Sequence, residues 1–176
     1  MYHKILRYSR LMRYCLLPLA VLFVAVSLLK YWGYGISYQF SRSMPEGLYL
    51  YRPVGRLYRD ETVLFMPPTW VEKYLVRHGW LHPQMLMMKQ VMALPGDQFC
   101  IRDHAVYLNG YKVAPVLTHY APGKALPHLH YCQIVPPNQY VLMSTHIRLS
   151  FDGRYFGPIS RQYIIEQAQP LFVINS

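Results

Sequence analysis

Apolar and polar positions divide the chain into two unlike parts. Residues 14–29 read YCLLPLAVLFVAVSLL without a charge, whereas from residue 36 onward apolar positions come in short runs broken by Gly, Pro and charged residues. A helix over residues 14–29 is about 24 Å long, short of the roughly 30 Å hydrocarbon core of a bilayer. Lys30 can snorkel on its apolar stem. Tyr31, Trp32 and Tyr34 then extend the segment with the aromatic residues that favour headgroup depth. The pattern predicts a transmembrane anchor over residues 14–34. Lys4, Arg7, Arg10 and Arg13 precede it without an acid. By the positive-inside rule they predict a cytoplasmic basic segment over residues 1–13 and an exported body. A cleaved signal peptide ending near Ala25-Val26-Ser27 is the weaker reading, and it exports the body too.

The body, residues 36–176, reads as mainly β. Residues 48–51 and 62–66 are short apolar runs bounded by turn formers, as strands are. Residues 106–113, VYLNGYKV, are two alternating runs around Asn109-Gly110, a dipeptide that supplies the positive φ angles of a type I′ hairpin turn. Residues 140–143 and 171–174 are further strand candidates. A helix is predicted over residues 69–78, with Thr69 as cap, Glu72 completing a capping box and Gly79 ending it. Residues 114–139, rich in Pro, His and Tyr, read as an irregular insertion. The expected fold is therefore an N-terminal transmembrane helix followed by a β-rich domain with one or two short helices.

Composition changes this picture little. Charged residues are 15% of the chain, against about a quarter in a typical soluble domain, in keeping with a membrane segment. The net charge of +10 is spread without a basic block outside the N-terminus, so no nucleic-acid partner is expected. Three cysteines make no disulfide framework. Cys100 and Cys132 can pair in an oxidising compartment, and the sequence leaves that open.

Three local patterns carry chemistry: Ser41-Arg42-Ser43-Met44-Pro45, Met88-Lys89-Gln90-Val91-Met92-Ala93-Leu94-Pro95-Gly96-Asp97, and Ser150-Phe151-Asp152-Gly153-Arg154-Tyr155-Phe156-Gly157-Pro158. Each alone has a plain explanation. A Ser before Met-Pro and a Pro-Gly-Asp are turn residues, a Lys in an apolar run snorkels, and an Asp and Arg two apart pair at a surface. Their order gives them weight. Lys89 lies in MLMMKQVMALPG, where burial disfavours the ammonium and lowers its pKa. A neutral amine is a competent general base and activates a serine hydroxyl without histidine. His128-Leu129-His130 with His119 or His146 lacks an acidic or Cys partner at a metal-ligand spacing, so no metal or cofactor is expected. His146 near the third box is a weaker candidate base than Lys89.

With these three boxes in this order, the chain resembles the type I signal peptidase family, and most of all its conjugative-transfer branch, the TraF-like pilin-processing peptidases. The pieces carrying the resemblance are SMPEGLY, KQVMALPGD and SFDGRYFGP. The resemblance implies a signal-peptidase-like β-fold and a Ser–Lys dyad, with Ser43 as nucleophile and Lys89 as general base. It further implies that the Ser41 hydroxyl and the N–H of Ser43 form the oxyanion hole, that Ser150 orients the lysine, and that Asp152 and Arg154 form a supporting ion pair. The implied function is a membrane-anchored endopeptidase with its catalytic domain in the periplasm, processing propilin for a conjugative or type IV secretion system. Its acyl-enzyme is resolved by water or by the substrate's own amine, which closes a ring. Implied partners are the precursor, the lipid bilayer and other proteins of the conjugation machinery. Met143-Ser144-Thr145-His146 replaces the family's Gly-Asp-Asn-rich run, and Gly153 replaces its usual serine. Both departures argue against the first alternative, a general signal peptidase removing secretory signals. The second is a non-catalytic scaffold of a secretion channel, which the intact Ser43, Lys89 and Ser150 argue against.

Overall fold

The computed structural model describes residues 2–40, 44–144 and 149–174, with the side chains of the first helix described at Tyr14 and from Leu16 onward. The chain divides into two units, Met1–Gly35 and Ile36–Ser176.

The first unit is a helix, α1, over Tyr2–Tyr31. The expected transmembrane helix over residues 14–34 is not found: among the described residues no helix is long and apolar enough to cross a membrane. The physical reason lies at the helix end. Lys30 occupies the last turn, and Gly33, at φ 79°, leads the chain out of the helix. Trp32 and Tyr34, needed to lengthen the apolar segment, thus lie beyond it, and the uncharged residues 14–29 alone reach only about 24 Å. The membrane anchor, the single-pass topology with the N-terminus inside and the periplasmic catalytic domain rested on that span and fall with it.

The second unit is mainly β, as expected. Along the chain run β1 (Gly35–Gln39), β2 (Gly47–Pro53), β3 (Thr62–Phe65), helix α2 (Thr69–Arg77), β4 (Met87–Ala93) and β5 (Gln98–Arg102). They are followed by β6 (Ala105–Leu108), β7 (Tyr111–Pro115), β8 (His119–Ala121), β9 (Lys124–Ala125), β10 (Tyr131–Ile134) and β11 (Gln139–Met143). A short helix α3 (Gly153–Phe156), β12 (Ile159–Ser160) and the long β13 (Ile164–Val173) complete the described chain. Among the described residues one sheet has the order β1-β2-β13-β3-β4-β11-β12, a second β10-β5-β6-β7, and β8 and β9 form a small pair. The main core joins strands of both larger sheets to Val71 and Leu75 of α2.

Local chemistry explains several elements. Asn109 and Gly110 both have positive φ, 50° and 86°, and Leu108 faces Tyr111 across the turn, the two-residue hairpin anticipated from Asn-Gly. Helix α2 closes as Gly79 takes φ 69°, with Gly79 N–H donating to Val76 O and Trp80 N–H to Leu75 O, a Schellman closure. Its start differs from expectation. Pro68 in extended conformation is the N-cap, with no side-chain cap, because its fixed φ already sets the entry of the helix. Glu72 instead accepts from Gln84 N–H at 2.8 Å. Residues 114–139 carry β8, β9 and β10. Strand β10 pairs antiparallel with β5, placing Cys132 opposite Cys100, and the two form a disulfide.

Strand β4 is the element that matters most for function. It lies between β3 and β11, with Lys89 opposite Val63 and Met143 opposite Gln90. All of its residues except Gln90 are buried, as a continuous apolar run requires of an internal strand. Behind β11, Gly153 packs so closely that a Cβ there would lie 2.8 Å from Val141 Cγ1 and 2.9 Å from Leu142 O. That approach explains glycine in place of a serine. Gly153→Ala is expected to lower unfolding stability by about 1–3 kcal/mol, read from denaturant melts; an unchanged midpoint would contradict the packing.

Candidate active site

The lysine box folds as β4 and the turn after it. Asp97 organises that turn. Its carboxylate accepts from Leu94 N–H at 2.7 Å and from Asn109 Nδ2 at 2.8 Å, and pairs with Arg59 at 2.8 Å. Arg59 also donates to Met92 O, tying the end of β4 to the loop before β3. Although partial burial opposes ionisation of Asp97, the hydrogen bonds from Asn109 and Leu94 and the charge of Arg59 hold its pKa below the ordinary carboxylate value.

Lys89 is only 2% exposed. Burial pushes its pKa from 10.5 down to about 8; the charge of Asp152 opposes the shift and that of Arg154 adds to it. No carboxylate among the described residues pairs with the amine, because Asp152 is otherwise engaged. The Asp152 carboxylate accepts from Arg154 Nε at 2.8 Å and from Nη2 at 2.7 Å, a bidentate pair. Both side chains are buried, at 0% and 2% exposure. Asp152 further accepts from Ser144 N–H at 3.0 Å, while Arg154 donates to Ser144 O at 2.9 Å and Pro115 O at 3.4 Å. Although burial opposes its charge, Asp152 raises the Arg154 pKa above its ordinary value. The pair therefore clamps the residue after β11, and so the strand beside β4, to α3 and the end of β7.

Lys89 and Ser150 line one open cleft of about 460 Å³, with Met87, Met88, Leu64 and Phe151. The Ser150 hydroxyl is buried and has no hydrogen-bond partner among the described residues. A buried hydroxyl without a partner is costly, and this one belongs to a residue that borders the cleft Lys89 lines. The structure thus brings Lys89, Ser150, Asp152 and Arg154 into one neighbourhood. Ser41 and Ser43 lie outside the described residues, as does His146. Their chain neighbour Met44 is buried in a cluster with Met88, Tyr49 and Ala168, and the Ser144 hydroxyl contacts its sulfur at 3.8 Å. His128 and His130 lie together, ring centres 4.3 Å apart, and line a different cavity with His104 and Asp103. Among the described residues no three His, Cys, Asp or Glu side chains come together as a metal site.

Sequence reasoning missed the aromatic wall of the cleft. Phe151 stacks on Tyr74 at 4.9 Å and on Tyr155 at 5.1 Å, and Trp80 crosses Tyr120 edge-on at 4.7 Å. The available signal was Trp80 itself: an apolar residue just after the Gly that ends a helix packs back onto it.

A fold of this kind around a buried lysine defines a class of peptidase. The family model described as "Signal peptidase, peptidase S26" matches residues 9–173. The chain belongs to that family and is a serine peptidase of the Ser–Lys dyad type acting on protein substrates. Its relatives include proteins of the conjugative branch. A plasmid transfer protein TraF from Escherichia coli is 30% identical, covering 93% of this chain and 98% of its own. A second TraF from the same organism is 31% identical over 74% of this chain and 79% of its own. A conjugal transfer protein TraF from Agrobacterium fabrum (strain C58) is 26% identical over 76% and 80%.

Two stability outcomes follow. Arg154→Met leaves the Asp152 charge buried and unpaired, a loss of about 3–5 kcal/mol; a melt unchanged from wild type would contradict the clamp. Lys89→Met acts oppositely. The folded pKa of about 8 lies below the 10.5 of the free side chain, so the unfolded chain binds the extra proton and stability rises with pH between those values. Below about pH 8 the variant is expected to exceed wild type by on the order of 3 kcal/mol, the difference shrinking towards pH 10.5. Equal stability at pH 6 would sink this reading.

Proposed function

We propose that the chain is an endopeptidase that cleaves a precursor protein through an acyl-enzyme on Ser43, with Lys89 as general base and residues 36–176 as the peptidase domain. The observation that carries this is the Lys89 amine, buried on an internal strand, open to a cleft and with its pKa pushed down to about 8. At pH 8 about half of such amines are neutral and can accept a proton.

In acylation the Ser43 Oγ attacks the scissile carbonyl carbon while its proton passes to Nζ of Lys89. The tetrahedral intermediate collapses as the C–N bond breaks, and the lysine ammonium returns the proton to the leaving amine. Water then attacks the ester, giving its proton to the neutral lysine, and the serine is released as that proton returns to Oγ. Burial of Met44 and Met88, the chain neighbours of the two groups, in one cluster supports their pairing. Ser150 is assigned to orienting the amine, in keeping with its unpartnered hydroxyl beside the cleft. Asp152 and Arg154 are assigned to holding the strand beside β4 in place. Ser41 and the N–H of Ser43 are assigned to the oxyanion hole on the resemblance of their box. The substrate we propose is a pilin precursor, supported by the conjugal and plasmid transfer names of the relatives.

The test is processing of purified propilin, beside an ordinary secretory precursor, by the full chain and its variants. Ser43→Ala is expected to abolish cleavage, and Lys89→Ala to lower kcat/KM by about 10²–10⁴-fold, with folding checked by circular dichroism. Wild-type kcat/KM should rise with pH through about 8 as Lys89 loses its proton. Continued cleavage by both variants, or a profile flat across that pH range, would remove the dyad assignment. Faster cleavage of the secretory precursor would remove the substrate assignment.

A further inference from the structure

Beyond the Lys89 cleft lies a second cavity, of about 280 Å³, whose walls include Trp80, Tyr120, Leu126, Phe151 and Tyr155. It adjoins the first: Trp80, Leu149, Ser150 and Phe151 line both. The floor is held firmly, with Phe151 and Tyr155 only 8% and 3% exposed and their rings stacked 12° from parallel. The Tyr155 hydroxyl is fixed by accepting from Leu117 N–H at 3.3 Å. The mouth is open, since Trp80 is 40% and Leu149 68% exposed.

This geometry decides what the cavity can hold. It is smaller than the roughly 300–1,000 Å³ of a pocket for a separate small molecule, and it adjoins the cleft that Lys89 lines. Ser150 also lines the lysine cleft, and among the described residues no ionised side chain lines the second cavity. A charged or strongly polar group would lose its hydration there without a partner. An aromatic ring would meet the rings of Tyr120, Trp80 and Phe151, contacts that add to simple area burial.

We infer that this cavity is a specificity subsite for one large apolar or aromatic side chain of the substrate, placed close to the scissile bond. Tyr120, on the β8–β9 pair, forms its outer wall, reaching across to Trp80 from a part of the chain far from both catalytic boxes. The inference rests on the peptidase reading above, because it takes the substrate chain to lie along the Lys89 cleft.

The experiment uses the full-length protein and fluorogenic peptides spanning the cleavage site of a processed precursor, with Phe or Ala placed in turn at each position flanking the scissile bond. At one position Phe should raise kcat/KM over Ala by about tenfold or more. Tyr120→Ala should bring that ratio close to one, Tyr120→Phe should retain it, and Leu126→Trp, which fills the cavity, should reverse it in favour of Ala. The ratio rather than the absolute rate is the readout, so a general loss of activity does not mimic the effect. No position preferring Phe, or a ratio untouched by both Tyr120→Ala and Leu126→Trp, overturns the subsite. Lys89→Ala separates the two readings: turnover close to wild type in it removes the dyad, whereas a Phe preference that still depends on Tyr120 upholds the subsite.

Discussion

A lysine amine inside a protein must be paired or give up its charge, and the rest of this site depends on how that constraint is met. Lys89 sits on an internal strand with almost no exposure, so water cannot solvate its ammonium. The acid whose field reaches it, Asp152, is held by the two nitrogens of Arg154. Had Asp152 bonded the amine directly, its charge would have favoured the ammonium and raised the pKa. Arg154 keeps the carboxylate occupied, and so leaves the burial of the lysine amine largely uncompensated.

The same pair has a mechanical part. Through Ser144 it fixes the end of β11, and β11 is the neighbour of β4. The close approach of Gly153 to Val141 and Leu142 lets α3 lie flat against that strand. On the other side, Arg59 and Asp97 hold the end of β4 through the Met92 carbonyl and the turn that follows. A strand gripped at its far end and along one edge holds its side chains in register, which a general base needs if proton transfer is to be efficient. A neutralised buried amine also costs stability, a trade common where activity requires a strained or underpaired group.

What could be read from the sequence followed how local each determinant is. The Asn109-Gly110 hairpin and the Gly79 helix end are set by φ requirements of single residues, and both formed where anticipated. The lysine box was legible because an unpaired Lys among Met and Leu is itself a physical anomaly. Strand β4 as a strand was not, since a Met-rich run with Val91 as its one β-branched residue suits a helix equally well. Pairing of β10 with β5, and with it the disulfide, joins segments 32 residues apart, which no local pattern announces. The aromatic wall is still less local, bringing Tyr74, Trp80, Tyr120 and Phe151 together from separate elements. The membrane-spanning helix was misjudged because its length was counted through Trp32 and Tyr34, whereas the helix stops at Tyr31. Ser41 and Ser43 rest on the sequence of their box, outside the described residues.

The central claim is that burial makes Lys89 a base at near-neutral pH, and the titration of its amine tests this most directly. With lysine labelled in the side chain and the resonance assigned by its loss in Lys89→Met, the Lys89 signal should titrate near pH 8. A midpoint near the ordinary 10.5 would contradict the account, because the amine would then be an ammonium throughout the range in which a serine must be activated.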